Sequence, residues 1–349
     1  MKNIRRIISM VMLSIMIIMG AVPVEANAAT NLTVHFIDVG QGDAILVQYG
    51  KNYSLIDTGV EKKYSQLNTY LKKINVKKIT NLVVTHPDAD HMGGADLVIK
   101  NYGVKNIYMT KYTSNSGEYK ELIAAIKKYK VKRSNVSRGA KINLGGIKAE
   151  VLSADAKASD SNDSSIVLKL VHGKKSFLFT GDISAKLEKQ IASKYNVNVD
   201  VLKVSHHGSN YSSAVSFIKE TSPEYSVLSV GKNNNYGHPD KTVNNRLKKY
   251  SKNVVRTDQK GTIVITSNGK KLTYKNVPTK SSSSSSNSSS SGSSSSSSSS
   301  SSSAAVGNYV YVTPTGSKYH KKACGRGTFT KTTIKNAKAR KLTACSKCF

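Results

Sequence analysis

The chain has 349 residues and a formal charge of +32, and its three cysteines all lie in the last 26 residues, at Cys324, Cys345 and Cys348. That length holds one large domain plus something small, and the cysteine distribution excludes a disulfide framework for the larger part, whose core must be held by burial alone. Such a charge makes polyanions the expected partners (nucleic acid, a wall polymer or anionic membrane) without separating them, and it also serves solubility.

Lys2, Arg5 and Arg6 precede an apolar run from Ile7 to Met19, and Ala26-Asn27-Ala28 follows. This is the pattern of a secretory signal peptide over residues 1–28, cut after Ala28. The alternative is a retained anchor, for which the run is short. No later apolar segment is long enough to span a bilayer, so the expected product is secreted, in the medium or on the wall, with no stable membrane span.

Residues 29–280 read as one domain. Asn31–Asp38 alternates as a strand, and Val39-Gly40-Gln41-Gly42-Asp43 is a turn. Ala44–Val47 and Tyr53–Ile56 read as hairpin strands, the second ending at Asp57-Thr58-Gly59. Apolar positions at helical spacing mark a helix over about 62–74. Asn81–Val84 is a short buried strand, and Thr85-His86-Pro87-Asp88-Ala89-Asp90-His91-Met92-Gly93-Gly94 follows it as a loop. Four potential metal ligands lie within six residues there. Carboxylates and imidazoles this close repel or compete for protons unless a cation satisfies them.

Helices are expected over Ala95–Tyr102, Glu118–Tyr129, Ile183–Tyr195 and Thr242–Tyr250. Strands are expected over Asn106–Met109, Ile147–Leu152, Ser165–Val171, Ser176–Thr180, Val199–Val204 and Tyr225–Val230, with two closing strands near Thr262–Thr266 and Lys271–Lys275. The alternation points to an α/β fold with two mixed sheets and helices outside. Asp57, His86, Asp182 and His207 fall at strand C-termini, where α/β proteins place their sites. Asp182 is placed equally to cap the helix that follows. His35 and His172 lie within strand patterns and are expected to face solvent or a partner, with no catalytic role.

Residues 281–303 comprise 21 Ser, one Asn and one Gly, a flexible linker that cannot bury a core. Residues 304–349 carry ten Lys/Arg and no Asp/Glu, which leaves the body with about +20. His320, Cys324, Cys345 and Cys348 have zinc-site spacing, and so small a module needs a staple. The other reading is a disulfide with one cysteine left over.

Taken in order, Phe36-Ile37-Asp38-Val39-Gly40-Gln41-Gly42-Asp43-Ala44, Leu55–Gly59, His86–His91, Phe179-Thr180-Gly181-Asp182, Lys203–Ser209 and Tyr236-Gly237-His238-Pro239 resemble the metallo-β-lactamase superfamily. Within it they resemble the hydrolase domain of ComEC-like DNA-uptake proteins and their stand-alone secreted relatives. The tail from Ala337 to Cys348 resembles the end of the Ada-type metal-binding domain. The superfamily resemblance covers residues 31–278 and implies an αββα sandwich, to which the tail's own resemblance and ligand spacing add a small zinc-stapled C-terminal module.

It further implies two divalent ions, zinc or manganese, in the main site, and one structural zinc in the tail. His86 and Asp88 would hold one ion, Asp90, His91 and His207 the other, and Asp182 would bridge them. Asp57 would brace the metal loop, while Asp38 and Asp43 either back the ligands or merely shape the turn. The sequence departs from the family in two places: Asp88 stands where a second His is usual, and Ser161–Ser165 occupies the place of the third motif's His. The implied chemistry is attack by a metal-bridging hydroxide on a phosphodiester of DNA or RNA. Asp90, His206 and His238 are the candidates for that chemistry, with His238 placed either to bind the scissile phosphate or to protonate the leaving oxygen. Of His206 and His207, adjacent on an extended segment, only one is expected to ligate. The alternatives are hydrolysis of another bond (a phosphorylcholine or teichoic-acid ester, a lactam or a lactone) and a non-catalytic wall- or nucleic-acid-binding protein.

Overall fold

The computed structural model describes residues 30–278 and, in the tail, 309–312, 317–320, 330–333, 337 and 342–346. The expected signal peptide and the serine linker lie outside the described residues, as do Cys324 and Cys348. The chain divides into two units at Thr279 and Lys280. Among the described residues no helix is long and apolar enough to cross a membrane.

The first unit is a four-layer sandwich. One sheet holds β1 (Leu32–Phe36), β2 (Ile45–Tyr49), β3 (Asn52–Ile56), β4 (Asn81–Val83), β5 (Asn106–Met109) and β6 (Lys132–Asn135). The other holds β7 (Lys141–Asn143), β8 (Lys148–Ser153), β9 (Val167–His172), β10 (Lys175–Phe179), β11 (Val201–Lys203), β12 (Tyr225–Leu228) and β13 (Asn253–Arg256). The chain then returns through β14 (Thr262–Ser267) and β15 (Leu272–Val277) to the first sheet, whose order is β15-β14-β1-β2-β3-β4-β5-β6. The second sheet runs β13-β12-β11-β10-β9-β8-β7. In each, an antiparallel meander meets a parallel run, from β3 to β6 in the first and from β10 to β13 in the second.

Period-2 alternation explains the layers. Ile56, Val83, Phe177, Phe179 and Val201 point between the sheets, where they form one core. Their neighbours Leu55 and Leu82 point outward to helices α1 (Tyr64–Lys73), α2 (Ala89–Met92), α3 (Ala95–Tyr102) and α4 (Gly117–Lys128). Leu178 and Leu202 likewise meet α5 (Ala185–Ala192), α6 (Val215–Thr221) and α7 (Lys241–Tyr250). A last turn, α8 (Thr257–Lys260), leads into β14.

Three expectations are corrected. Asp182 caps no helix: Ser184 caps α5, accepting from Leu187 N at 3.3 Å. His35 and His172 are buried, not solvent-facing: His35 Nδ1 lies 2.9 Å from Tyr70 Oη, and His172 Nδ1 lies 2.9 Å from Ser267 Oγ. β6, β7, β13 and α6 were not legible beforehand. β6 and β13 are edge strands with no fully buried side chain, so neither shows an apolar alternation.

The second unit is a small sheet of β16 (Tyr309–Val312), β17 (Lys318–His320), β18 (Thr330–Thr333) and β19 (Thr343–Ala344), with Val310, Val312, Tyr319 and Ala337 as its core. β17 and β19 are parallel, with Tyr319 opposite Ala344. Cys345 directly follows β19, and its N donates to Tyr319 O at 2.9 Å, next along the chain from His320.

Candidate metal centre

The carboxyl ends of β3, β4, β10, β11 and β12 converge, and each delivers part of one cluster. Asp57 ends β3 at φ 57°, its carboxylate turned under the β4 loop. It accepts from Thr85 N at 2.8 Å and Thr85 Oγ1 at 2.6 Å, and it lies 2.8 Å from His91 Nδ1. The metal loop is thus pinned from behind, as α2 lifts His91 out of it.

The three buried imidazoles share one arrangement. His91 Nδ1 is held by Asp57, His207 Nδ1 lies 2.8 Å from Ser229 O, and His86 Nδ1 lies 3.1 Å from Thr85 Oγ1 and 3.2 Å from Ser165 Oγ. A carboxylate behind His91, a carbonyl behind His207 and, behind His86, a Thr85 hydroxyl that already donates to Asp57 each accept from Nδ1 and leave the Nε2 lone pair forward. All three Nε2 atoms are buried without a hydrogen-bond partner, as is Asp182 Oδ1. Asp182 Oδ2 lies 3.2 Å from both His91 Nε2 and His207 Nε2, yet neither contact has hydrogen-bond geometry. These atoms aim at common points between them rather than at one another. Asp90, His91, Asp182 and His207 each offer an atom within 4.8 Å of the others'. His86 Nε2 lies 3.7 Å from Asp88 Oδ2, beside that group, with its ring 4.1 Å from that of His91. Nitrogen and carboxylate donors left unpaired in the interior fit divalent cations, for which they have the right chemistry.

Electrostatics agree. Burial alone would drive His91 down, but Asp182 and Asp57 outweigh it and hold its pKa well above the usual imidazole value. Burial likewise opposes charge on His207, and Asp182, Asp90 and Asp43 overcome it, pushing the group up to about 10. Asp182 and Asp90 resist burial and stay well below the carboxylate range because His207 and His91 face them. Burial raises Asp88. It lowers His86 to about 4, helped by the neighbouring His91. Without a cation, protons on His91 and His207 supply the positive charge the carboxylates demand.

The remaining candidates separate. Asp43 reaches the cluster: it is buried, with Oδ1 3.5 Å from His207 Nδ1 and Oδ2 2.7 Å from Lys203 Nζ. Asp38 shapes the turn, its Oδ1 accepting from Gly40 N at 3.1 Å. His206 and His207 do not sit on an extended segment. Both have positive φ, 51° and 53°, so their rings turn to the same side. His206 Nε2 lies 3.8 Å from Asp182 Oδ2 and His207 Nε2 at 3.2 Å, with His206 the more exposed of the two. His238 stands at the rim, its ring 5.5 Å from that of His206 and 6.4 Å from that of His207.

Several contributors had no role assigned from sequence. Ser165, in the segment that replaces the third motif, contacts His86 Nδ1 and accepts from Asp182 N at 3.1 Å. Lys203 is fully buried within an apolar strand, and its need for a carboxylate partner was the available signal. Glu188 of α5 is buried and accepts from Ser205 Oγ, Ser213 N and Ala214 N at 2.7, 2.8 and 2.7 Å, clamping the loop that carries His206 and His207. A Glu on an amphipathic helix gives no such sign.

Two face-packed mixed sheets flanked by helices, with an Asp/His cluster at converging strand ends, are the arrangement of the metallo-hydrolase superfamily. Residues 37–232 match the Metallo-beta-lactamase superfamily, and the chain belongs to it. Among similar proteins, ComE operon protein 3 of Bacillus subtilis is 33% identical over 66% of this chain and 32% of its own length. Competence protein ComA of Neisseria gonorrhoeae is 32% identical over 68% of this chain and 33% of its own. The chain therefore spans about a third of the curated relatives it matches. The metallo-beta-lactamase fold protein YhfI of Bacillus subtilis, a crystal structure, aligns over 64% of this chain and 95% of its own at 12% identity, TM-score 0.45.

Proposed function

We propose that the protein is an exported two-metal phosphodiesterase acting on nucleic acid. The observation that carries the hydrolase part is the set of three buried imidazoles, each held at Nδ1 and unpartnered at Nε2, around Asp182. The polyanion part is supported by a body charge of about +20 and by the competence proteins among its relatives. His86 and Asp88 would hold one divalent cation, zinc or manganese, Asp90, His91 and His207 the second, and Asp182 both. Such a pair supplies Lewis acidity and an activated water at neutral pH.

The chain's own groups do the rest. Asp57, Ser229 and Ser165 keep the imidazoles oriented. Lys203 pairs with Asp43 at 2.7 Å, and Asp43 in turn lies 3.5 Å from His207 Nδ1, behind that ring. His206 borders Asp182 at the rim. Burial, with His207 and His206 close by, lowers His238 to about 4. It is therefore neutral at pH 7, which favours a hydrogen bond to a phosphate oxygen over delivery of a proton to the leaving group.

In the tail, the bond from Cys345 N to Tyr319 O, next along the chain from His320, supports a zinc site completed by Cys324 and Cys348, which lie outside the described residues. Tethered by the serine linker, that basic module would raise the local concentration of polymer.

The test pairs metal content with turnover. The purified protein is assayed on bis(p-nitrophenyl) phosphate and linear DNA with Zn²⁺ or Mn²⁺, beside the His86→Ala/Asp90→Ala double variant. The expected result is about two metals lost in the double variant, together with diester cleavage. One further zinc should disappear in Cys345→Ala. Bound metal without diester cleavage moves the reading to another ester or a lactam. No metal and no turnover leaves a polyanion-binding protein.

A further inference from the structure

Among the described residues, the two most exposed large hydrophobic side chains are tyrosines, Tyr211 at 77% and Tyr236 at 68%. Both sit on loops that carry site histidines. Tyr211 follows the His206-His207-Gly208-Ser209 turn, and Tyr236 precedes His238. Neither ring belongs to any core described above.

Tyr236 is also the outer end of a column of rings. It stacks on His238 with centroids 5.7 Å apart and 24° between planes. His238 stacks on His207 at 6.4 Å and 28°. His207 Nε2 lies 3.3 Å from Asp90 Oδ2 and 3.2 Å from Asp182 Oδ2. Two ring steps thus lead from solvent to the cluster. The loop is braced by Asn234, whose Oδ1 accepts from Tyr236 N and His238 N, both at 3.1 Å. Its Nδ2 donates to Gly231 O and His238 O at 3.0 and 2.6 Å. A planar ring with one face on a fixed neighbour and the other open, beside a phosphate site, is pre-organised to receive a second planar group. Nucleobases offer such a face, and stacking tolerates all four of them. Inside a duplex a base has both faces covered by its neighbours, so an internal paired base must first leave the stack, whereas an unpaired base need not.

We propose that Tyr236 is a stacking platform for an unpaired nucleobase adjacent to the scissile phosphate, which makes single strands and unpaired ends the preferred substrates. This rests on the phosphodiesterase reading above. Its consequence is selectivity for the nucleoside part of the substrate.

The experiment compares two esters with one leaving group, thymidine 5′-(p-nitrophenyl phosphate) and methyl p-nitrophenyl phosphate, using the metal-loaded full chain. Tyr236→Ala should lower the ratio of kcat/KM for the nucleoside ester over the methyl ester by about tenfold, mostly in KM, and Tyr236→Phe should keep it. The wild type should cleave a single-stranded oligonucleotide faster than a hairpin of the same composition, and Tyr236→Ala should narrow that gap. If both esters slow equally in Tyr236→Ala, the ring is structural and the proposal is overturned. An unchanged ratio with normal wild-type turnover also overturns it, while leaving the phosphodiesterase reading intact. If the wild type cleaves neither ester nor either oligonucleotide, the phosphodiesterase reading fails and the platform falls with it.

Discussion

At the residue scale, the site is built by groups that never touch a substrate. Lys203 is the clearest. Removing its charge in Lys203→Met takes away the 2.7 Å partner of buried Asp43 and leaves only the longer contacts to His207 and His91, which should cost about 3–5 kcal/mol. Adding Asp43→Asn removes the orphaned charge and should recover much of that loss, as urea midpoints of the three variants would show. Gly42 is a second case. At φ 124° a Cβ there would lie 2.2 Å from Asp90 O, the carbonyl that accepts from Asp43 N at 3.1 Å. Gly42→Ala should separate the two loops, weaken metal binding at least about tenfold, and cost about 2 kcal/mol in thermal stability. The residues of the cluster were legible because Asp and His recur at and just after strand ends. What stayed hidden was conformation. The left-handed turn at His206 and His207 brings both rings to one side, and no period-2 argument reaches a backbone that leaves the extended region.

At the scale of elements, α5 does more than cover the second sheet. Its Glu188 is the acceptor on which the loop after β11 hangs, so Glu188→Ala strands two backbone N–H groups and a hydroxyl in the interior. The expected loss is about 1–3 kcal/mol for each donor that water does not rescue. Burial, against hydrogen bonds from Ser205, Ala214 and Ser213, lifts Glu188 from 4.5 to about 7. The folded state therefore holds a proton that the unfolded chain releases between these values. Stability conferred below pH 4.5 is lost as the pH rises to about 7. Glu188→Gln should flatten this slope in denaturation curves taken from pH 4.5 to 7.5, and an unchanged slope would refute the assignment. The longer helices were readable from apolar spacing, α1 and α4 within two residues, whereas α6 and the short α2 inside the expected loop were not. β6 and β13 were not, because an edge strand with little burial carries no pattern for burial to impose.

At the scale of the whole molecule, protons and cations compete for one cluster. His91 is held high and His207 at about 10 in the metal-free protein. Metal binding at pH 7 must therefore displace protons, and affinity should rise with pH. Titration calorimetry in buffers of different ionisation enthalpy should give a buffer-dependent heat. A buffer-independent heat would mean that the imidazoles were already neutral. Stability follows the same sign. The raised His207 favours folding fully below the unfolded value of 6.5, and its contribution is lost as the pH climbs toward about 10. Chelated protein should soften across that window, and loaded protein should not by this route.

The return of β14 to the first sheet has a temporal consequence. β1 lies between β2 and β14, and Thr33 meets Thr266 across 233 positions of chain. A polypeptide emerging from its N-terminus, whether from a ribosome or through a narrow pore, carries every one of the cluster's histidines before it carries the strand that closes the first sheet. The last event, not the first, completes the sandwich. Such long-range pairing folds slowly.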